Sequence, residues 1–236
     1  ENQIKEIIHA AQCSVFFIDE SQRVTLSDIG RIAEIEKWAQ KEKSEVYKME
    51  LVSQFRCNGS DGYLAWLDDV LEIRSTANCE MDDLDYDIRI CDSPNDVYNL
   101  IVEKNKAPNH ARLSAGYCWN WIREGQNDST IHDIQIGDFE MSWNLGNSQT
   151  YAIDQSSVNE VGCIHTSQGL EFDFVGVIIG KDLRFENGKV VTDFTQRAKT
   201  DQSLKGIKKI HKDNPALAQQ LADEIIKNTY RTLMTR

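Results

Sequence analysis

Proline is nearly missing from this sequence. Pro94, Pro108 and Pro215 are its three prolines, far apart, so no proline-rich linker divides the 236-residue chain. Long apolar runs are missing too. The longest, around Val15–Ile18 and Val177–Ile179, reach about six residues, where a membrane-spanning helix needs roughly 20. No membrane partner is expected, and no signal peptide or lipidation motif is visible. The six cysteines (Cys13, Cys57, Cys79, Cys91, Cys118 and Cys163) include no C-x-x-C pair. That spacing offers no zinc cluster, and the thiols read as reduced core residues of a cytoplasmic protein. The first residue is Glu1 and not methionine, so a preceding segment is expected.

Positive charge is also scarce, with a formal net charge of −12. Taken whole, that disfavours non-specific contact with nucleic acid. The distribution is uneven, however. Residues 181–212 hold nine basic side chains against four acids, so this segment is +5 and the remainder −17. It reads either as a solvated basic loop or as a surface for a phosphate backbone.

The pattern along the chain is α/β. Ile4, Ile7, Ile8 and Ala11 share a helical face, and residues 13–19 form an apolar run, ending in acid, typical of a strand buried on both sides. A helix is predicted from Thr25 to about Lys43, a strand over 46–51 and a helix over about 61–74. The polar stretch 75–86 is the best boundary, dividing the chain into 1–80 and 81–236. A second series follows: a strand at 87–91, a helix capped by Ser93 and opened by Pro94, strands at 112–117, 161–165 and 174–179, and a final helix from Pro215 to Leu233. Alternation of this kind implies a largely parallel sheet with helices on both faces.

The chemistry centres on Asp19-Glu20, at the end of the first apolar run. An apolar strand ending in Asp-Glu is the Walker B arrangement. One carboxylate holds Mg²⁺, usually through water, and its neighbour polarises an attacking water. A strand-terminating acid pair at a turn is the plainer reading. Ser21-Gln22 adds to the functional one, because Gln can bond both a γ-phosphate and a second lobe. A metal-dependent hydrolase would need further ligands near Asp19, and the sequence offers no compact cluster.

Longer strings carry a resemblance. VFFIDESQ (15–22) resembles motif II of superfamily 1 helicases, and CIHTSQGLEFDFVGVIIG (163–180) resembles their motif V. NTYRTLMTR (228–236) is similar to motif VI and ELVSQFR (50–56) to the arginine-bearing motif IV segment, and the four stand in the family's order. QFRCNGSDGYLAWLDDVL and ARLSAGYCWNW extend the similarity over the whole chain, to the bacterial Schlafen-group-3-like helicase-domain family.

The resemblance implies an α/β fold of two RecA-like parallel-sheet lobes, the first incomplete, with ATP and Mg²⁺ as cofactors. It implies that Asp19 holds Mg²⁺, Glu20 acts on water, and Gln22 senses the γ-phosphate. Arg56 and Arg236 would reach that phosphate. Gly169 and Glu171 would lie beside the nucleotide, and His165 and Thr166 beside single-stranded DNA or RNA. Arg56 also reads as a surface ion-pair residue and His165 as a core histidine. Trp119, Trp121 and Trp143 read either as core residues or as platforms for bases.

The departures are as informative. A P-loop needs G-x-x-x-x-G-K-[ST], because backbone amides, Lys and a Mg²⁺-binding hydroxyl act together. The two Gly-Lys pairs, Gly180-Lys181 and Gly188-Lys189, do not fit it, and the family's motif III is missing. The expected function is an ATP-dependent helicase or translocase domain that is inactive by itself. The alternative is a nucleic-acid-sensing P-loop ATPase without unwinding activity, serving as a binding or regulatory module for an attached nuclease domain.

Overall fold

The computed structural model describes residues 2–50, 57, 60–77, 80, 86–106, 108–147 and 150–236. Helix α1 spans Gln3–Ala10, with the Asn2 side chain accepting from the Lys5 amide at its start. A short 3-10 turn follows at Glu20–Gln22, and then α2, Ile32–Lys41. The helix expected from Thr25 begins only at Ile32, and Asp28 closes a local turn before it. Its carboxylate accepts from the amides of Val24 (3.3 Å) and Thr25 (3.0 Å) and from the Thr25 hydroxyl (2.8 Å). Gly30 disfavours carrying that turn on as a helix.

Helix α3, Asp61–Val70, is capped by Ser60. Helix α4, Pro94–Lys104, has the Ser93 cap and first-turn proline that its sequence predicts. The strands are β1 (Ala111–Ala115), β2 (Ile134–Ile136), β3 (Phe139–Met141) and β4 (Val161–Gly162). After β4 come the short helix α5 (Ile164–Ser167), β5 (Phe174–Ile178), and a hairpin of β6 (Leu183–Glu186) and β7 (Lys189–Thr192). Asn187 and Gly188 turn that hairpin at positive φ (53° and 78°), the geometry a two-residue loop requires. Helix α6, Ile207–Asp213, leads into α7, Pro215–Met234.

Strands β4, β1 and β5 form a parallel three-stranded sheet in that order, with β1 in the centre. A Cβ on Gly176 would meet Val97 and Ile101 of α4, whereas Val177 packs into the cluster around α7. Successive strand residues face opposite ways, so the two helices cover opposite faces. The first core cluster gathers Val24, Leu67 and Leu71 with Ile164 and with Ile225, Ile226 and Leu233 of α7. The second joins Leu113, Ile134, Phe139, Trp143 and Val161.

Three expected strands are not formed. Residues 13–19, 46–50 and 87–91 carry no strand, and Leu51 lies outside the described residues. Val15 is 72% exposed and Phe17 84%. An apolar run becomes a buried strand only if neighbours accept and donate its ladder hydrogen bonds, and none of the described residues does so here. The fold is thus mixed α/β, and among the described residues its parallel sheet lies in residues 111–178.

Candidate functional site

Asp19 opens the 3-10 turn. Its Oδ1 accepts from the Ser21 amide (3.0 Å) and hydroxyl (2.5 Å), and its Oδ2 from the Gln22 side-chain amide (2.7 Å). Neighbouring atoms crowd the carboxyl, which would by itself raise its pKa. The donors of Ser21 and Gln22 and the charge of Arg231 outweigh that and hold it below the usual carboxylate range. Asp19 is therefore a permanent anion at neutral pH.

Helix α7 fixes this turn from across the chain. The Gln22 side-chain oxygen accepts from Arg236 Nη2 at 3.0 Å, so Arg236, Gln22 and Asp19 form one hydrogen-bonded chain. Arg236 is 4% exposed and also donates to the Thr232 carbonyl. Asn228 donates to the carbonyls of Glu20 (3.4 Å) and Arg23 (3.0 Å). Arg231 donates to the Ser21 hydroxyl at 3.1 Å and pairs with the buried Asp68. Arg231 is a residue that sequence reasoning missed; its signal was its place three residues after Asn228, on the same helical face.

Glu20 points elsewhere. Its Oε1 accepts from the Ile32 amide at 3.2 Å and so caps α2. Arg56 lies outside the described residues. Thr166 makes a reciprocal cap on α5: its hydroxyl accepts from the Cys163 amide (2.9 Å) and the residue is 8% exposed. His165 is exposed, its ring 6.3 Å from that of Tyr117. Gly169 has φ +87°, with open space where a Cβ would be, and Glu171 is exposed beside it. Among the described residues, no hydrogen bond or ion pair joins His165, Thr166, Gly169 or Glu171 to Asp19 or Glu20.

A second cluster lies at the carboxyl ends of β1 and β5. Asp182, fully buried, accepts from Tyr230 Oη (2.5 Å) and pairs with Arg197 Nε (2.9 Å). Arg197 also bonds Asp201 (3.2 Å), Ser203 (2.8 Å) and Thr229 (3.3 Å), and lies over the Tyr117 ring. Tyr230 Oη accepts from the Gly180 amide at 2.9 Å. A Cβ on Gly116 would come within 2.3 Å of that hydroxyl, so this position demands glycine.

Burial pushes the Cys118 thiol up to about 12, with Asp182 adding to the effect, and burial raises Tyr117 and Tyr230 as well. A raised pKa here means that the unfolded chain ionises first. Stability is full below the ordinary thiol range and is lost as pH climbs through it toward about 12. Urea midpoints followed from about pH 8 to about pH 11 are expected to fall steadily.

Could these residues serve a nucleotide and its metal? Among the described residues, no three His, Cys, Asp or Glu side chains converge. Mg²⁺ at a nucleotide needs only one or two carboxylates, the phosphates supplying the rest. An ionised Asp19, with Arg231 of α7 near it and Arg236 just past that helix bonded to it through Gln22, fits that requirement. Among the described residues, Cys13, Cys91, Cys118 and Cys163 are free thiols. No described helix is long and apolar enough to cross a membrane.

The protein belongs to a helicase-domain family. The model of the Schlafen group 3 DNA/RNA helicase domain matches residues 1–236. An uncharacterized protein of Saccharomyces cerevisiae is similar as well, 23% identical over 202 residues that cover 79% of this chain and 43% of the yeast protein. The chain thus spans less than half the length of that relative. No solved structure matches.

Proposed function

We propose that the chain is the hydrolytic part of an ATP-dependent DNA/RNA helicase or translocase domain of the superfamily 1 type. ATP with Mg²⁺ would bind between two RecA-like lobes, residues 1–80 and 81–236. The observation that carries this reading is the Arg236–Gln22–Asp19 chain, which joins the motif VI and motif II residues. Mg²⁺ would supply charge neutralisation at the phosphates.

The chain's own residues would do the rest. Asp19, already ionised, offers its carboxylate through water. Arg236 and Arg231 carry positive charge to the turn, where phosphoryl transfer needs it. Glu20 would act on water only after exchanging the Ile32 amide for it. Because the sequence has no G-x-x-x-x-G-K-[ST], the phosphate cradle must come from another polypeptide segment. That segment's sheet would also give the run 13–19 a neighbour that it lacks among the described residues.

The test is ATP turnover by the chain alone and together with its P-loop-bearing segment. Turnover is expected only in the second case, and Glu20→Gln is expected to abolish it. Undiminished hydrolysis by Glu20→Gln would overturn the assignment. Displacement of a paired strand by the active protein distinguishes a helicase from an ATPase that only senses nucleic acid.

A further inference from the structure

The three tryptophans that the sequence leaves open are not equivalent. Trp143 is 5% exposed, and Trp119 packs against the second core cluster. Trp121 is 38% exposed, on the loop that leaves the carboxyl end of β1. Three hydrogen bonds clasp this loop to residues 198–200. The Ala198 amide donates to the Tyr117 carbonyl (2.8 Å), the Lys199 amide to Asn120 Oδ1 (3.0 Å), and the Trp121 amide to Thr200 Oγ1 (3.1 Å). The indole and the Lys199 ammonium are thus held on neighbouring, tied strands of chain. His165 borders the same loop through Tyr117.

The charge balance of the segment sharpens the picture. Its four acids are consumed by its two arginines: Asp182 and Asp201 pair with Arg197, and Glu186 and Asp193 with Arg184. The seven lysines of 181–212 are all exposed, and among the described residues none of them has a carboxylate partner. The lysines thus contribute +7 at the surface and the two arginine–acid clusters −2, which together make the +5 of the segment.

We propose that Trp121 and Lys199 form a contact site for single-stranded nucleic acid beside His165, with Trp121 stacking on a base and Lys199 meeting the adjacent phosphate. An exposed indole can stack only on a base that is not already stacked in a duplex, which selects single strands. The proposal rests on the nucleic-acid-acting reading above and assigns it a surface.

The probes are fluorescein-labelled oligothymidine and oligouridine, added to the full chain at low salt and followed by anisotropy. Trp121→Ala is expected to weaken binding about 5- to 150-fold, the equivalent of losing one stacked base, while Trp121→Phe retains most of it. Lys199→Gln is expected to reduce the salt dependence by about one unit of slope. Lys41→Gln, on α2, is the control and should bind like the wild type. Unaltered binding by Trp121→Ala and Lys199→Gln, with a wild type that does bind, would overturn this surface and leave the nucleic-acid reading standing. A wild type that binds neither oligomer would remove both. Binding abolished equally by dextran sulfate and indifferent to Trp121→Ala would mark a mere polyanion surface, and also overturns the site.

Discussion

Arg236→Ala is expected to lower ATP turnover by about 10³-fold or more in the presence of the P-loop-bearing segment, the loss typical of a phosphate-facing arginine. The effect should fall on kcat, because charge stabilisation of this kind is felt mainly as the phosphoryl group leaves. Arg236 also bonds the Thr232 carbonyl at the end of α7. A structural explanation is therefore available, and Arg236→Lys separates the two. Lysine keeps the charge but loses the forked donors. If Arg236→Lys and Arg236→Ala lose turnover alike while their melting temperatures match the wild type, directed donors matter more than charge. Full activity in Arg236→Ala would remove the residue from the site. Steady-state kinetics over a range of ATP concentrations make the measurement.

The second large effect concerns stability. Arg197→Met is expected to cost about 3–5 kcal/mol in urea unfolding monitored by tryptophan fluorescence, because it leaves buried carboxylates without their cation. Both partners are sealed from solvent: the side chains of Arg197 and Asp201 are 3% exposed and that of Asp182 is 0%. Arg184→Met is the internal comparison. Its pairs with Glu186 and Asp193 lie at the surface, and the loss should be about 1 kcal/mol or less. Equal losses for the two variants would contradict the burial of the Arg197 network.

This contrast shows where sequence reading stops. Arg184 and Arg197 look alike within a basic stretch, and a charge count assigns both to a solvated or phosphate-binding surface. Burial separates them, and it depends on Asp182, Thr229 and Tyr230 arriving from other parts of the chain. Elements with their own punctuation were legible: Ser93-Pro94 announces α4, Asn214-Pro215 announces α7, and the apolar runs of β1 and β5 find one another as partners. The run 13–19 is apolar like β5 and makes no strand, because composition states what a segment prefers and cannot supply its neighbour. Helix α5 was hidden inside an expected strand; Thr166 bonding back to Cys163 ends the extended chain after two residues of β4. The linkage of Gln22 to Arg236 was not legible: the resemblance implies only that each reaches the γ-phosphate, and nothing local to either residue points to the other.

Helix α7 has a consequence for how substitutions combine. Asn228 and Arg231 lie on the side that faces the Asp19 turn, and Thr229 and Tyr230 on the side that faces Arg197, Asp182 and Gly180. Successive residues of a helix are about 100° apart and cannot turn independently. A rotation of this one turn that stretches the Tyr230 bond must also move the Arg231 donor. The two clusters share a single angular coordinate, so damage at Tyr230 and damage at Arg231 should not add as separate quantities.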